Sequence, residues 1–254
     1  MVAQPVRILL FSDIHGNAAA LEAVLADSAR HGPYDLTLCL GDLVWAGPRP
    51  AEVLARLRSL CGDDPSGQAG PAACLFGNCD RILLDENAKP PAKDGQRVAR
   101  HRDWMLSRLS AADLAFLRQL PFSQRVAPLP GHELLAVHAN PRNVDDPIRP
   151  DLSDGAIDAV IGPADFQVLA FGHVHIPSVR LWRGRLLLNV ASVGLSMDGD
   201  PRAAYSVLTW AGGGWQVAQY RVEYDVQRVA RDMRRGGLPR GGHFAERLLA
   251  ARYA

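Results

Sequence analysis

At 254 residues, 48% of them hydrophobic and 22% charged, the chain can bury a large core and has the composition of an ordinary soluble globular protein. Its 28 Lys and Arg against 27 Asp and Glu leave a formal net charge of +1, so no global field recruits nucleic acid or an anionic membrane, and any phosphate chemistry must be local. No stretch approaches the roughly 20 apolar residues of a membrane helix, and Cys39, Cys61, Cys74 and Cys79 form neither a C-x-x-C pair nor a secreted framework, so a reduced, cytoplasmic chain is expected.

Val6 to Phe11 (VRILLF) is apolar and β-prone, like strands covered on both faces of a sheet, and is too short for a signal-peptide core. It exits into Ser12-Asp13-Ile14-His15-Gly16-Asn17. Asn17 can cap a helix reaching to about Arg30, in which Leu21, Val24 and Leu25 recur at helical spacing. A second run, Leu36 to Leu40, ends in Gly41-Asp42 and leads through a Gly/Pro loop into a helix over 51–60. A polar, turn-rich loop over 62–71 precedes a third run, Ala72 to Phe76, which ends in Gly77-Asn78-Cys79-Asp80.

Residues 81–120 read as helical, broken at Lys89-Pro90-Pro91, and as an insertion that forms a lid or side wall; His101-Arg102-Asp103-Trp104 reads as a solvated amphipathic face. Phe122–Ala127 and Glu133–Val137 flank a Pro-Leu-Pro-Gly turn as a hairpin whose second arm ends in His138-Ala139-Asn140-Pro141-Arg142. A short helix from Leu152 to about Ile161 follows, then a buried strand from Phe166 to Phe171 that runs into Gly172-His173-Val174-His175. An extended exit there would project both imidazoles to one side. Short strands are expected over 179–182, 186–190, 205–210 and 215–222, then a helix from Asp225 to about Arg235. An Arg/Gly-rich mobile linker and one last short helix make a tail over 236–254. Alternating β and α units followed by consecutive strands give one α/β domain over 1–254, two packed sheets with outer helices.

Five apolar runs thus end in metal-ligand types: Asp13 with His15, Asp42, Asn78, His138, and His173 with His175. Ligands gather at the carboxyl ends of strands in α/β sheets, so residues far apart in sequence can meet on one rim. Four of the eight histidines occupy strand exits, whereas His31, His101, His132 and His243 lie in turns or helices and read as surface or capping residues.

The ordered set SDIHGN, GD, GNCD, VHAN and GHVH, with the later LLNVASVG, resembles the calcineurin-like metallophosphoesterases over most of the chain. The resemblance implies a four-layer α/β/β/α sandwich of two mixed β-sheets and two divalent transition-metal ions. One ion would be held by Asp13, His15 and His175, the other by Asn78, His138 and His173, with Asp42 bridging both. A shared carboxylate and a bridging hydroxide would offset the repulsion of two dications roughly 3.5–4 Å apart, the hydroxide serving as nucleophile toward phosphorus. The donor set suits manganese first, with iron, zinc, nickel or cobalt as alternatives, over magnesium or calcium. Asp42, Asn78, Cys79 and Asp80 are the candidate catalytic residues; Asn17 and Arg142 are candidates for touching the substrate, against helix capping and a surface salt bridge respectively.

Cys79 stands where most relatives carry a histidine thought to protonate the leaving group. A thiol beside two cations tends to ionise and is then no proton donor. That favours leaving groups needing little acid help, hence phosphodiesters, and GNCD also occurs in a small phosphodiesterase branch of bacterial and archaeal relatives; a residue without any role is the other reading. The expected substrate is a small phosphate ester or nucleotide, with homo-oligomers open. Alternatives are a phosphomonoesterase or protein phosphatase, a symmetrical dinucleoside polyphosphate hydrolase, and a non-catalytic scaffold of the same fold.

Overall fold

A computed structural model describes residues 5–62, 64–67, 70–85 and 95–253, so the break expected at Lys89-Pro90-Pro91 lies outside the described residues. Ten strands form two mixed five-stranded sheets. The first is built from β1 (Val6–Phe11), β2 (Leu36–Cys39) and β3 (Ala72–Cys74), which run parallel, and from the antiparallel β9 (Ala203–Ala211) and β10 (Gly214–Val222), in the order β10-β9-β1-β2-β3. The second joins β4 (Ser123–Val126), β5 (Leu134–Val137), β6 (Val168–Phe171), β7 (Ser178–Trp182) and β8 (Arg185–Asn189) in the order β4-β5-β6-β8-β7, with β5, β6 and β8 parallel.

The unbroken apolar runs are explained by burial on both faces. Ile8 and Leu10 of β1, Leu38 of β2, Leu134 and Ala136 of β5, and Val168 and Ala170 of β6 face the seam between the sheets. The alternate residues Leu9, Phe11, Cys39 and Cys74 face outward under α1 (Ala18–Ser28) and α2 (Pro50–Cys61), while Leu135, Val137, Leu169 and Phe171 lie under α6 (Asp154–Ile161). Side chains alternate along each strand, so one strand feeds two cores, and the α/β/β/α layering follows.

The described residues of segment 81–120 are largely helical, in α3 (Asn78–Leu84), α4 (Gly95–Leu106) and α5 (Ala111–Arg118), and reach the core: Met105, Phe116 and Leu117 share that of α1 and α2. His101 is buried and not part of a solvated face: it accepts the Ala46 N–H, its Nδ1 lies 3.3 Å from the Pro239 carbonyl oxygen, and its ring packs against Trp45 and Phe244. The Arg/Gly-rich stretch expected as a mobile linker is anchored instead. Between α7 (Val226–Arg235) and α8 (Gly241–Ala250), Leu238 and Gly241 are buried, and a Cβ on Gly241 would stand 1.9 Å from the Met233 carbonyl oxygen.

Candidate metal centre

β1, β2, β3, β5 and β6 all open toward one edge of the sandwich, and their exit loops are stitched together by the backbone. The Asp13 N–H donates to the Gly41 carbonyl, His15 to Asp42, and Gly172 to His138. Asp13, His15, Asp42, His173 and His175 adopt positive φ between 49° and 68°. This left-handed region costs an L-residue about 1–2 kcal/mol and persists where the surroundings over-determine it, as at functional sites. His173 and His175 are therefore not the extended pair expected from H-x-H; successive left-handed turns send one imidazole to each side of Asp13 and Asp42.

All seven candidate ligands meet. Asp13 Oδ1 is 3.1 Å from His175 Nε2 and 3.7 Å from His15 Nε2. Asp42 turns Oδ2 to His15 Nε2 at 3.7 Å and Oδ1 to His138 Nε2 at 3.5 Å, so its carboxylate spans two groups of imidazoles. On the far side Asn78 Oδ1 lies 2.9 Å from His138 Nε2 and 3.0 Å from His173 Nδ1.

Tautomers follow from the outer hydrogen bonds. Nδ1–H of His15 donates to the Trp45 carbonyl, that of His138 to Leu40 and that of His175 to Leu195, while Nε2–H of His173 donates to Asp145. A carbonyl only accepts, so each neutral ring presents a bare lone pair to the interior. His15 Nε2 and His175 Nε2 then face each other at 3.1 Å with no proton between them, beside Asp13 Oδ1, a buried oxygen without a hydrogen-bond partner. Acceptors gathered so closely fit a cation. The residues present therefore suit a pair of divalent metals.

Electrostatics agree. Burial pushes the Asp13 carboxyl up, but the surrounding imidazoles of His175, His138 and His15 hold it below the usual carboxylate range. Burial and then His175 bring His15 down to about 4, whereas Asp42 and Asp13 outweigh burial and raise His138. Glycines leave room for the carboxylates: a Cβ at Gly77 would stand 2.2 Å from Asp42 Oδ1, and one at Gly172 2.3 Å from Asp13 Oδ2.

The remaining candidates separate. Cys79 opens onto the cavity and its N–H donates to Asp42 Oδ1 at 2.8 Å. Asp80 lies beneath the floor, fully buried, its oxygens accepting the N–H groups of Asp42, Leu43 and Gly77, so it positions the Asp42 turn and reaches no substrate. Burial, then Asp42, raises its carboxyl to about 7. Two expectations are corrected. Asn17 is a cap whose Oδ1 accepts the Ala20 N–H and whose Nδ2 donates to the Gly194 carbonyl and the Tyr224 hydroxyl, and it lines no part of the metal cavity. Arg142 donates to the Ala159 carbonyl on α6, lines no part of the metal cavity and has no carboxylate partner among the described residues.

The tail supplies what the sequence reading missed: Arg240, Phe244, Arg247 and Tyr253 line the cavity alongside the ligands. The one signal was its density of arginines beside aromatics.

A family model described as calcineurin-like phosphoesterase matches residues 6–177. An uncharacterized protein of Methanocaldococcus jannaschii, MJ0912, is 28% identical over 260 residues, covering 96% of this chain and 98% of that protein. Among solved structures, a metallophosphoesterase from Sphaerobacter thermophilus is similar at a TM-score of 0.74 and 28% identity, covering 97% of this chain and 99% of that one. The hypothetical protein PH1004 from Pyrococcus horikoshii shares the fold at a TM-score of 0.79 and 20% identity, covering 98% of this chain and 100% of that one.

Proposed function

The chain belongs to the calcineurin-like phosphoesterase family, and on that footing we propose that it hydrolyses phosphodiester bonds of a small-molecule or nucleotide substrate at a centre of two divalent transition-metal ions. The observation that carries the reading is the double confrontation of bare acceptors: His15 Nε2 and His175 Nε2 beside Asp13 Oδ1, and His138 Nε2 with His173 Nδ1 around Asn78 Oδ1. Asp42, with one oxygen toward each group, is the shared ligand. The mixed nitrogen and oxygen donors suit manganese first, then iron, zinc, nickel or cobalt. Bound there, such a pair supplies a water-derived nucleophile near neutral pH and neutralises charge developing on phosphate oxygens.

The chain's own groups orient and select. Outer carbonyls fix the imidazole tautomers, and the stitched loops hold the carboxylates without further rearrangement. Among the described residues, each histidine in the cavity wall is one of the proposed ligands, so no imidazole is left to protonate a departing alkoxide. A diester with a modest leaving group fits that deficit, and it repels an incoming anion less than a monoester because it carries one charge fewer.

The test is a metal-reconstituted screen of aryl phosphodiesters, aryl monoesters, cyclic nucleotides and dinucleoside polyphosphates. Diester turnover should exceed monoester turnover. Faster monoester cleavage would overturn the diester assignment, and no turnover with any metal would overturn the enzyme.

A further inference from the structure

The metal cavity, about 460 Å³, has a second wall that the hydrolytic reading leaves unused. Arg240 and Arg247 of the tail line the cavity together with His15, Asp42, His173 and the exposed Arg149, and Asp42 is the one carboxylate among the described residues lining it. Several arginines here have carboxylate partners, as Arg81 has Asp145 and Arg183 has Asp158. Among the described residues Arg247 and Arg240 have none. Arg247 Nε is buried without a hydrogen-bond partner, and its Nη2 meets only Met197 Sδ at 3.9 Å, a weak acceptor.

The head group is nevertheless held. The Arg247 guanidinium lies over the Tyr253 ring, 5.4 Å from its centroid, and the Tyr253 hydroxyl donates at 2.8 Å to the carbonyl of Val174, between His173 and His175. The tail is thus tied to the loop that carries two ligands, and the guanidinium is presented to the same space. Burial depresses Arg247 below its ordinary value, and Arg240 adds to that against the opposing influence of Tyr253 and Cys79.

We propose that Arg247, assisted by Arg240, forms a subsite for a second phosphate of the substrate, so that the preferred substrates carry a further phosphate beyond the one being cleaved. Two guanidiniums on one wall exceed the single charge of a carboxylate and match a phosphate group, which approaches two negative charges and accepts from a guanidinium bidentately. The cavity falls in the size range of small-molecule sites. The inference rests on the metal-centre reading, which would hold the scissile phosphate at the ligands lining the same cavity.

The probes are AMP and ADP, which differ by one phosphate, titrated calorimetrically into the manganese-loaded full chain with free manganese in constant excess, and used as inhibitors of bis(4-nitrophenyl) phosphate cleavage. The unaltered chain should prefer ADP over AMP by tenfold or more, since a charge-assisted pair is worth about tenfold to a hundredfold. Arg247→Met, which keeps the apolar stem, should remove most of that preference, Arg247→Lys should restore part, and the exposed Arg240→Ala should lower it without touching the core. An ADP-to-AMP ratio unchanged in Arg247→Met and Arg240→Ala would overturn the subsite while leaving the metal centre intact. Failure of the unaltered chain to bind either nucleotide or to cleave any aryl ester would overturn the metal-centre reading, and the subsite with it.

Discussion

His15, His138 and His175 each give the Nδ1 proton to a main-chain carbonyl, so what a mutation at the site removes is an inward lone pair or a shared carboxylate. Asp42→Ala and His173→Ala should therefore each lower metal content or kcat/KM by about a hundredfold or more, by analogy with the 10–100-fold cost of losing even an outer partner; variants that keep both metal and rate would refute the ligand assignment. Cys79→His should raise monoester turnover relative to diester turnover by about a hundredfold, the lower end of general-acid effects. The lower end is expected because Asp80, tied to three backbone N–H groups, cannot orient the new ring; an unchanged ratio would mean that residue 79 has no proton-transfer role. His101 gives a pH prediction away from the ligands. Burial lowers it to about 4 from 6.5, so on acidification the unfolded chain takes up this proton first. Stability is unaffected by this group above about pH 6.5 and falls between there and pH 4. The loss by pH 4.5 is about 2.5 kcal/mol. Urea denaturation of His101→Gln at pH 7 and pH 4.5 should show a correspondingly smaller drop, and an equal drop would show that His101 is not the responsible group.

At the scale of elements, the proposed centre draws on five strand exits, and those carrying Asp13, Asp42 and His173 bend sharply at the candidate ligand itself. Gly172 illustrates how tightly they are set: a Cβ there would meet Ser12 Oγ at 2.2 Å and Asp13 Oδ2 at 2.3 Å. Gly172→Ala should cost about 1–3 kcal/mol in urea denaturation, as overpacking does, and should release metal by displacing the Asp13 carboxylate; a variant with unaltered stability and metal content would contradict this packing. The strands and their exits were legible because apolar runs broken by Asp, His or Asn are local signals. Asp13, His15, Asp42, Asn78, His138, His173 and His175 could all be picked out that way. The left-handed turns at His173 and His175 were not legible, because φ there is imposed by neighbouring loops through bonds such as His173 N–H to Asp13 Oδ2. Arg142 misled for the same reason: its distance from His138 along the chain says nothing of the Ala159 carbonyl that claims it. The tail was misread because its arginines and glycines look like a linker until Phe244, Ala245 and Leu248 find the core under α7.

For the molecule as a whole, the sandwich concentrates at one edge an array of buried acceptors that is unfavourable without cations, in a chain whose net charge of +1 supplies no general field. Buried Asp13 and Asp42 and the lone pairs of four histidines must be satisfied together, by protons or by metal. Because the unfolded chain scatters these donors, metal binding is coupled to folding. With free manganese at a hundred times its dissociation constant the folded state gains about 2.7 kcal/mol. For a chain of this size that corresponds to a melting temperature about 5–10 °C higher than in chelator. Protons compete for the same lone pairs, so the gain should shrink as the pH falls from 7.5 to 5.5, by about 1.4 kcal/mol per pH unit for each proton displaced on binding. Calorimetric melting with manganese and with chelator across that range, run in parallel on Asp42→Ala, separates the possibilities. An equal gain in Asp42→Ala would put the metal elsewhere, and a gain independent of pH would mean that His138, the ligand whose neighbours raise its proton affinity, does not hold it.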